Sequence, residues 1–277
     1  MIEGEGEGEA RERLVRLPRG LTLRTLVPNA ITAAALGFGL TGIRFAIADQ
    51  WVMAVLAVML AGILDGLDGR VARMLKGQSR FGAELDSLAD NVSFGVAPAL
   101  ILFMWSLQEV PRIGWYASLG FAICMALRLA RFNAQIDTAD QPHKSAGFLT
   151  GVPAPMGAGL VFMPFYLWMA TGMPEFRAPI VVGGWLLFIA FLLISSVATL
   201  GWSALRPRRS IRLELLALLG LVGAALLNDP WLTLVGIGVV YLLTIPYAMW
   251  SYSRVKRRRA AAALATKDLT EKDRGEP

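Results

Sequence analysis

One cysteine, Cys124, and one histidine, His143, occur in the 277 residues. A lone cysteine excludes an internal disulfide and leaves the redox compartment open. His143 reads as a loop residue with no chemical role. Charge is sparse as well: Asp, Glu, Lys and Arg make up 17% of the chain and hydrophobic types 55%. Several apolar runs reach about 20 residues, the length that spans a bilayer. The amino terminus lacks a basic stretch ahead of an apolar core, so no cleavable signal peptide is expected. These absences leave an all-α, polytopic helical membrane protein.

The apolar runs predict eight spans, at roughly 26–47, 51–75, 82–106, 113–134, 149–171, 179–200, 212–228 and 231–253. Residues 26–253 are expected to form one transmembrane domain between an amino-terminal tail (1–25) and a basic carboxy-terminal tail (254–277). The acidic, glycine-rich residues 1–9 are expected to be disordered. Residues 10–24 interleave arginines with leucines and suit an anionic membrane surface. Loops on one side of the spans carry only Arg112 and Arg177 as cations. Those on the other carry Lys76, Arg80, Lys144, Arg206, Arg208, Arg209, Arg212, Arg254 and the run Lys256 to Arg259. That asymmetry predicts both termini in the cytoplasm, in a prokaryotic inner membrane. The net charge of +6 is then a matter of topology, with no nucleic-acid partner.

Against this background the stretch Asp65 to Asp90, DGLDGRVARMLKGQSRFGAELDSLAD, stands out. Asp65 and Asp68 are three apart and Asp86 and Asp90 four apart, so each pair shares a helix face. Carboxylates at membrane depth cost several kcal/mol and are functional by default. Four facing acids repel unless cations hold them, and an all-oxygen set suits Mg²⁺, Mn²⁺ or Ca²⁺. Gly69, Ala72 and Gly82 fall on the same faces and allow close approach of a bulky group. Arg73 adds a fork suited to phosphate. Metals, arginine and a glycine-floored groove together describe a pyrophosphate site.

The spacing D-x-x-D-G-x-x-A-R, eight residues, then G-x-x-x-D-x-x-x-D resembles the CDP-alcohol phosphotransferase family. The runs DGLDGRVAR, ELDSLADNVSFGVAPA, RLARFN and GVPAP, with LVPNAIT in the first span, resemble its membrane-integral phosphatidylserine synthase branch. The resemblance covers residues from about 25 to 255. It implies a six-helix core, a homodimer and transfer of a phosphatidyl group from CDP-diacylglycerol to L-serine within the lipid bilayer. It also implies two divalent cations, with Asp65, Asp68 and Asp86 on the first and Asp86 with Asp90 reaching the second or the acceptor. Gly69, Ala72, Arg73 and Gly82 would seat cytidine and phosphates, and Asp90 would take the proton from the serine hydroxyl.

Arg128, Arg131 and Asn133 close the fourth span on the cytoplasmic side, where guanidinium groups match a carboxylate. They are the candidate serine pocket, with Arg131 the favoured clamp. Pro153 and Pro155 disfavour helix at the start of span five and suggest a lip over the site. Three alternatives stay open: glycerol 3-phosphate or an inositol phosphate as acceptor, an ether-lipid donor, and a cation transporter. All four acids cluster on two helices with no second acidic site along a path, which weighs against transport.

Overall fold

The computed structural model describes residues 23–136, 148–195, 198–200 and 212–248. The basic segment 10–24, apart from its last two residues, lies outside them, as do His143, Lys144, Arg206 to Arg209 and the tail from Arg254. The protein is a helical membrane protein. Among the described residues, six helical segments are long and apolar enough to cross a bilayer, and two shorter apolar helices accompany them. Each expected span has its helical counterpart.

α1 (Leu23–Ile47) and α2 (Trp51–Leu75) form a hairpin and pair along their length. Small residues make this possible: Ala35, Ala46, Ala54, Ala57 and Ala61 are buried. A Cβ at Gly42 would stand 3.0 Å from the Ala54 carbonyl oxygen. Backbones that approach this closely gain van der Waals contact that lipid cannot supply. α2 ends on Lys76, whose φ of 52° and ψ of 35° place it in the left-handed region. Gly77 follows, pressed so tightly on the Arg24 backbone that a Cβ would overlap its carbonyl oxygen.

Ser79 then starts α3 (Arg80–Asp90), its hydroxyl accepting from the Gly82 amide at 3.0 Å. This is a regular N-cap. After Asp90 the chain makes a π-helical turn, Asn91–Val96, before α4 (Ala97–Trp105). The sequence reads as one uninterrupted span here. The wide turn changes the helical phase, so the carboxylate face of α3 and the buried face of α4 point independently; such turns recur at functional sites.

α5 (Pro111–Ile136) packs against the π turn and against α8 (Pro179–Ile194). Between them lie β1 (Phe148–Thr150), α6 (Ala154–Val161) and α7 (Met163–Thr171). Spans five and six are shorter than expected. β1 pairs antiparallel with β2 (Ala198–Leu200), Phe148 opposite Leu200 and Thr150 opposite Ala198. Gly151 at φ 74° and Pro153 prevent helix here, and strand pairing satisfies the backbone groups that a helix would have used. Pro164 at the start of α7 divides span five at Phe162.

α9 (Arg212–Asn228) and α10 (Pro230–Ala248) complete the described chain. The core runs through Phe94, Trp105, Phe121, Phe162 and Phe165, all essentially inaccessible. At the end of α4 remote from the acids, the Arg177 guanidinium stands 5.8 Å from the ring centres of both Trp105 and Trp168. Its Nε donates to the Trp105 carbonyl at 3.0 Å. This fixes that end of the bundle and leaves the other end to the chemistry.

Candidate functional site

The α2–α3 turn folds two acidic faces onto each other. Asp65 and Asp68 come from consecutive turns of α2 and Asp86 from α3; one oxygen of each lies within 4.8 Å of the others. Asp68 is 4% exposed, and Asp65 and Asp86 are half-buried. Asp90, one turn beyond Asp86, reaches Asp65 in a side-chain hydrogen-bonding contact. Three to four carboxylates within a few ångströms, in surroundings of low dielectric, repel strongly without a cation or shared protons. The donors are all hard oxygens, and a divalent cation of the Mg²⁺, Mn²⁺ or Ca²⁺ type fits them.

Beside the acids opens a cleft of about 270 Å³. Asp68, Gly69, Ala72 and Arg73 line it from α2, Gly82, Ala83 and Asp86 from α3, and Gly77, Gln78 and Ser79 from the loop between. Every small residue singled out by spacing therefore borders the cleft. Gly69 opens into it: the only atom near a Cβ there would be the tip of Arg73, at 3.8 Å. Arg73 itself is exposed.

The fourth wall comes from α1, through Pro28, Asn29 and Thr32. Thr32 Oγ1 lies 2.6 Å from Asp68 Oδ2. Asn29 sits over Gly82. The sequence reading gave these two residues no role. Their signal was a polar pair three apart in an otherwise apolar run, on one helix face.

The three residues ending α5 part company. Arg128 is close enough to Asp90 to feel its charge, and its Nε donates to the Val152 carbonyl of the G-V-P segment. Arg131 Nη2 donates to the Ile194 carbonyl at 2.6 Å, at the carboxy-terminal end of α8. Asn133 Nδ2 donates to Ser87 Oγ at 2.8 Å, and so ties α5 to α3. Of the three, Arg128 feels the charge of Asp90 and Asn133 bonds Ser87, next to Asp86; Arg131 has the position of a cation closing a helix end.

The site's elements agree with what the chain is similar to. The family model described as CDP-alcohol phosphatidyltransferase matches residues 25–200, and one described as CDP-alcohol phosphatidyltransferase 2 matches residues 210–246. A protein of Mycobacterium tuberculosis named CDP-diacylglycerol–serine O-phosphatidyltransferase is 40% identical over 84% of this chain and 81% of its own length. Proteins of the same name are 38% identical in Mycobacterium leprae, over 84% of this chain and 77% of theirs, and 40% identical in Helicobacter pylori, over 62% and 70%. With acids from two consecutive helices gathered at one cleft and a family model covering the helices that carry them, the chain belongs to the CDP-alcohol phosphatidyltransferase family.

Proposed function

We propose that this enzyme transfers a phosphatidyl group from CDP-diacylglycerol to the hydroxyl of L-serine, giving phosphatidylserine and CMP. The observation that carries the reading is the convergence of Asp65, Asp68 and Asp86 beside a cleft floored by Gly69, Ala72 and Gly82. The serine-specific names of relatives at 40% identity support the acceptor. Membership in this family removes the transporter alternative.

In this reading Asp65, Asp68 and Asp86 hold a divalent cation, Mg²⁺ or Mn²⁺, and Asp86 with Asp90 borders a second. Bound there, such cations supply neutralisation of charge on the pyrophosphate and the departing CMP. The chain's own residues do the rest. Gly69 and Ala72 let the pyrophosphate approach the α2 backbone, and Arg73 offers it a guanidinium fork. Gly82 and Asn29 border the nucleotide end of the cleft. Asp90 accepts the proton of the serine hydroxyl. The freed oxygen bonds to the β-phosphorus, and the bond to CMP breaks with its electrons leaving on CMP.

Arg128 holds the serine carboxylate beside Asp90, and Arg131 and Asn133 keep the end of α5 in place. The acyl chains stay in lipid. The cation asymmetry of the loops supports an active site and termini on the cytoplasmic face, and the family resemblance supports a two-fold pairing of chains. Offering L-serine, glycerol 3-phosphate and inositol phosphate separately, with CDP-diacylglycerol as donor and CMP release as readout, tests the proposal. Serine should be strongly preferred; faster release with glycerol 3-phosphate would reassign the acceptor.

A further inference from the structure

We propose that Thr32 is a positioning residue for the acidic centre: from α1, its hydroxyl holds Asp68 in the orientation in which that carboxylate, Asp65 and Asp86 take up a divalent cation. The inference deepens the metal reading above and rests on it.

Thr32 is 5% exposed and Asp68 4%, so little of either group is open to water although both border the cleft. Thr32 Oγ1 lies 2.6 Å from Asp68 Oδ2 and 3.2 Å from the Pro28 carbonyl, one turn back on its own helix. A hydroxyl has one proton for these two oxygens. An ionised carboxylate has none to give, and two unprotonated oxygens at 2.6 Å would repel. The proton therefore points to Asp68, and the separation is that of a charge-assisted O–H···O⁻ bond. The Pro28 carbonyl receives only the longer, weaker contact.

A threonine in a helix has a stiff χ1, and the rotamer that reaches the carbonyl four residues back is one of the two it favours. The donor is thus fixed in space before any cation arrives. Asp68 is a member of the triad and Thr32 is 36 residues away from it in sequence, on the helix paired with α2 along its length. α1 supplies no carboxylate, yet the register of the α1–α2 pair sets the direction of one.

Thr32 touches the carboxylate; it also borders the cleft. The two roles separate experimentally in the full chain reconstituted in nanodiscs, through Mn²⁺ binding measured by electron paramagnetic resonance with no nucleotide present. Loss of a hydrogen bond to a ligating carboxylate weakens metal affinity by roughly 10- to 100-fold, so Thr32→Val should raise the Mn²⁺ Kd by that amount and Thr32→Ser by no more than about threefold. The Tm of metal-free Thr32→Val should fall by no more than the loss of one buried hydrogen bond explains, and Thr32→Ser should recover most of it. Turnover should recover as Mn²⁺ is raised, with the KM for CDP-diacylglycerol then near the parent value. Thr32→Ala carries the same expectation if the valine variant does not fold.

A Thr32→Val protein with parental Mn²⁺ affinity overturns the proposal, as does a Thr32→Ser protein that binds as weakly as the valine form. Unchanged Mn²⁺ affinity with a raised CDP-diacylglycerol KM would make Thr32 a substrate contact instead. A parent protein that takes up no Mn²⁺ overturns the metal reading, and this inference with it.

Discussion

Gly82 of α3 lies directly beneath Asn29 of α1: a Cβ on the glycine would stand 2.8 Å from Asn29 Oδ1 and 3.1 Å from Ser79 Oγ. Gly69, across the cleft, faces open space, with only the tip of Arg73 at 3.8 Å. The two glycines therefore answer differently to the same substitution. Gly82→Ala must push Asn29 aside and strain the start of α3, so both Tm and nucleotide affinity should fall. Gly69→Ala meets nothing in the protein alone and adds a good helix former, worth up to about 1 kcal/mol. Its Tm should hold or rise while the affinity for CDP-diacylglycerol drops at least about tenfold, because the methyl occupies the ligand's path. Calorimetric titration beside thermal unfolding checks both. Undiminished affinity in Gly69→Ala would remove the pyrophosphate from that wall.

The three acids within 4.8 Å make a sharper demand. Chelator should abolish CMP release, and Mg²⁺ or Mn²⁺ should restore it. Asp65→Asn, Asp68→Asn and Asp86→Asn each keep the shape and remove one charge, and each should cost orders of magnitude in kcat. Turnover at a near-normal rate in excess chelator is the result this reading cannot survive.

Much of this site was readable because it is local. The two acidic pairs and their glycines obey helical spacing, and a short loop joins their helices, so one turn at 76–79 is enough to bring them together. What spacing alone did not reveal depends on contacts between distant segments. Thr32 and Asn29 matter through α1, and no periodicity within α1 says which residue of α2 or α3 they will meet. The π turn after Asp90 also escaped, since an apolar run reads the same whether its hydrogen bonds span four residues or five. The β1–β2 pairing hid for a related reason: Gly151, Pro153 and Pro155 signal broken helix, but not the partner 50 residues on that satisfies the backbone.

The same distinction bears on the proposed serine pocket. Arg131 is the clamp that the sequence favours; its guanidinium donates to the Ile194 carbonyl at the end of α8, and Arg128 feels the charge of Asp90, which makes Arg128 the clamp in the proposed reading. Arg128→Ala should therefore raise the apparent KM for serine more than Arg131→Ala does. Loss of a charge-assisted carboxylate contact is worth roughly 2–3 kcal/mol, or about 30- to 150-fold, with the CDP-diacylglycerol KM little changed. Arg128→Lys should be nearly as damaging, because an ammonium cannot reproduce the fork. Steady-state kinetics with each substrate varied in turn distinguishes the two arginines. A larger serine effect at Arg131 would return the clamp to that residue.

The reaction path should be a single displacement, because, among the described residues, the hydroxyls that line the cleft, Thr32 and Ser79, and Ser87 beside Asp86 are already engaged. Ser79 Oγ caps α3 by accepting from the Gly82 amide at 3.0 Å. Ser87 Oγ donates to the Ala83 carbonyl at 3.1 Å and accepts from Asn133 at 2.8 Å. Thr32 Oγ1 donates to Asp68 Oδ2 at 2.6 Å. A covalent phosphatidyl intermediate would require one of these to leave its partner and find a base. A carboxylate nucleophile from the acidic cluster would have to give up the charge that the cation site needs. The serine substrate needs none of these hydroxyls: its proton passes to Asp90, which lies outside the three acids of the first cation site. With a donor made chiral at the β-phosphorus, the product should show inversion, and labelled CMP should not exchange into CDP-diacylglycerol when serine is omitted. Retention of configuration, or exchange at a rate comparable with turnover, would instead require two displacements and a phosphatidylated side chain among these residues.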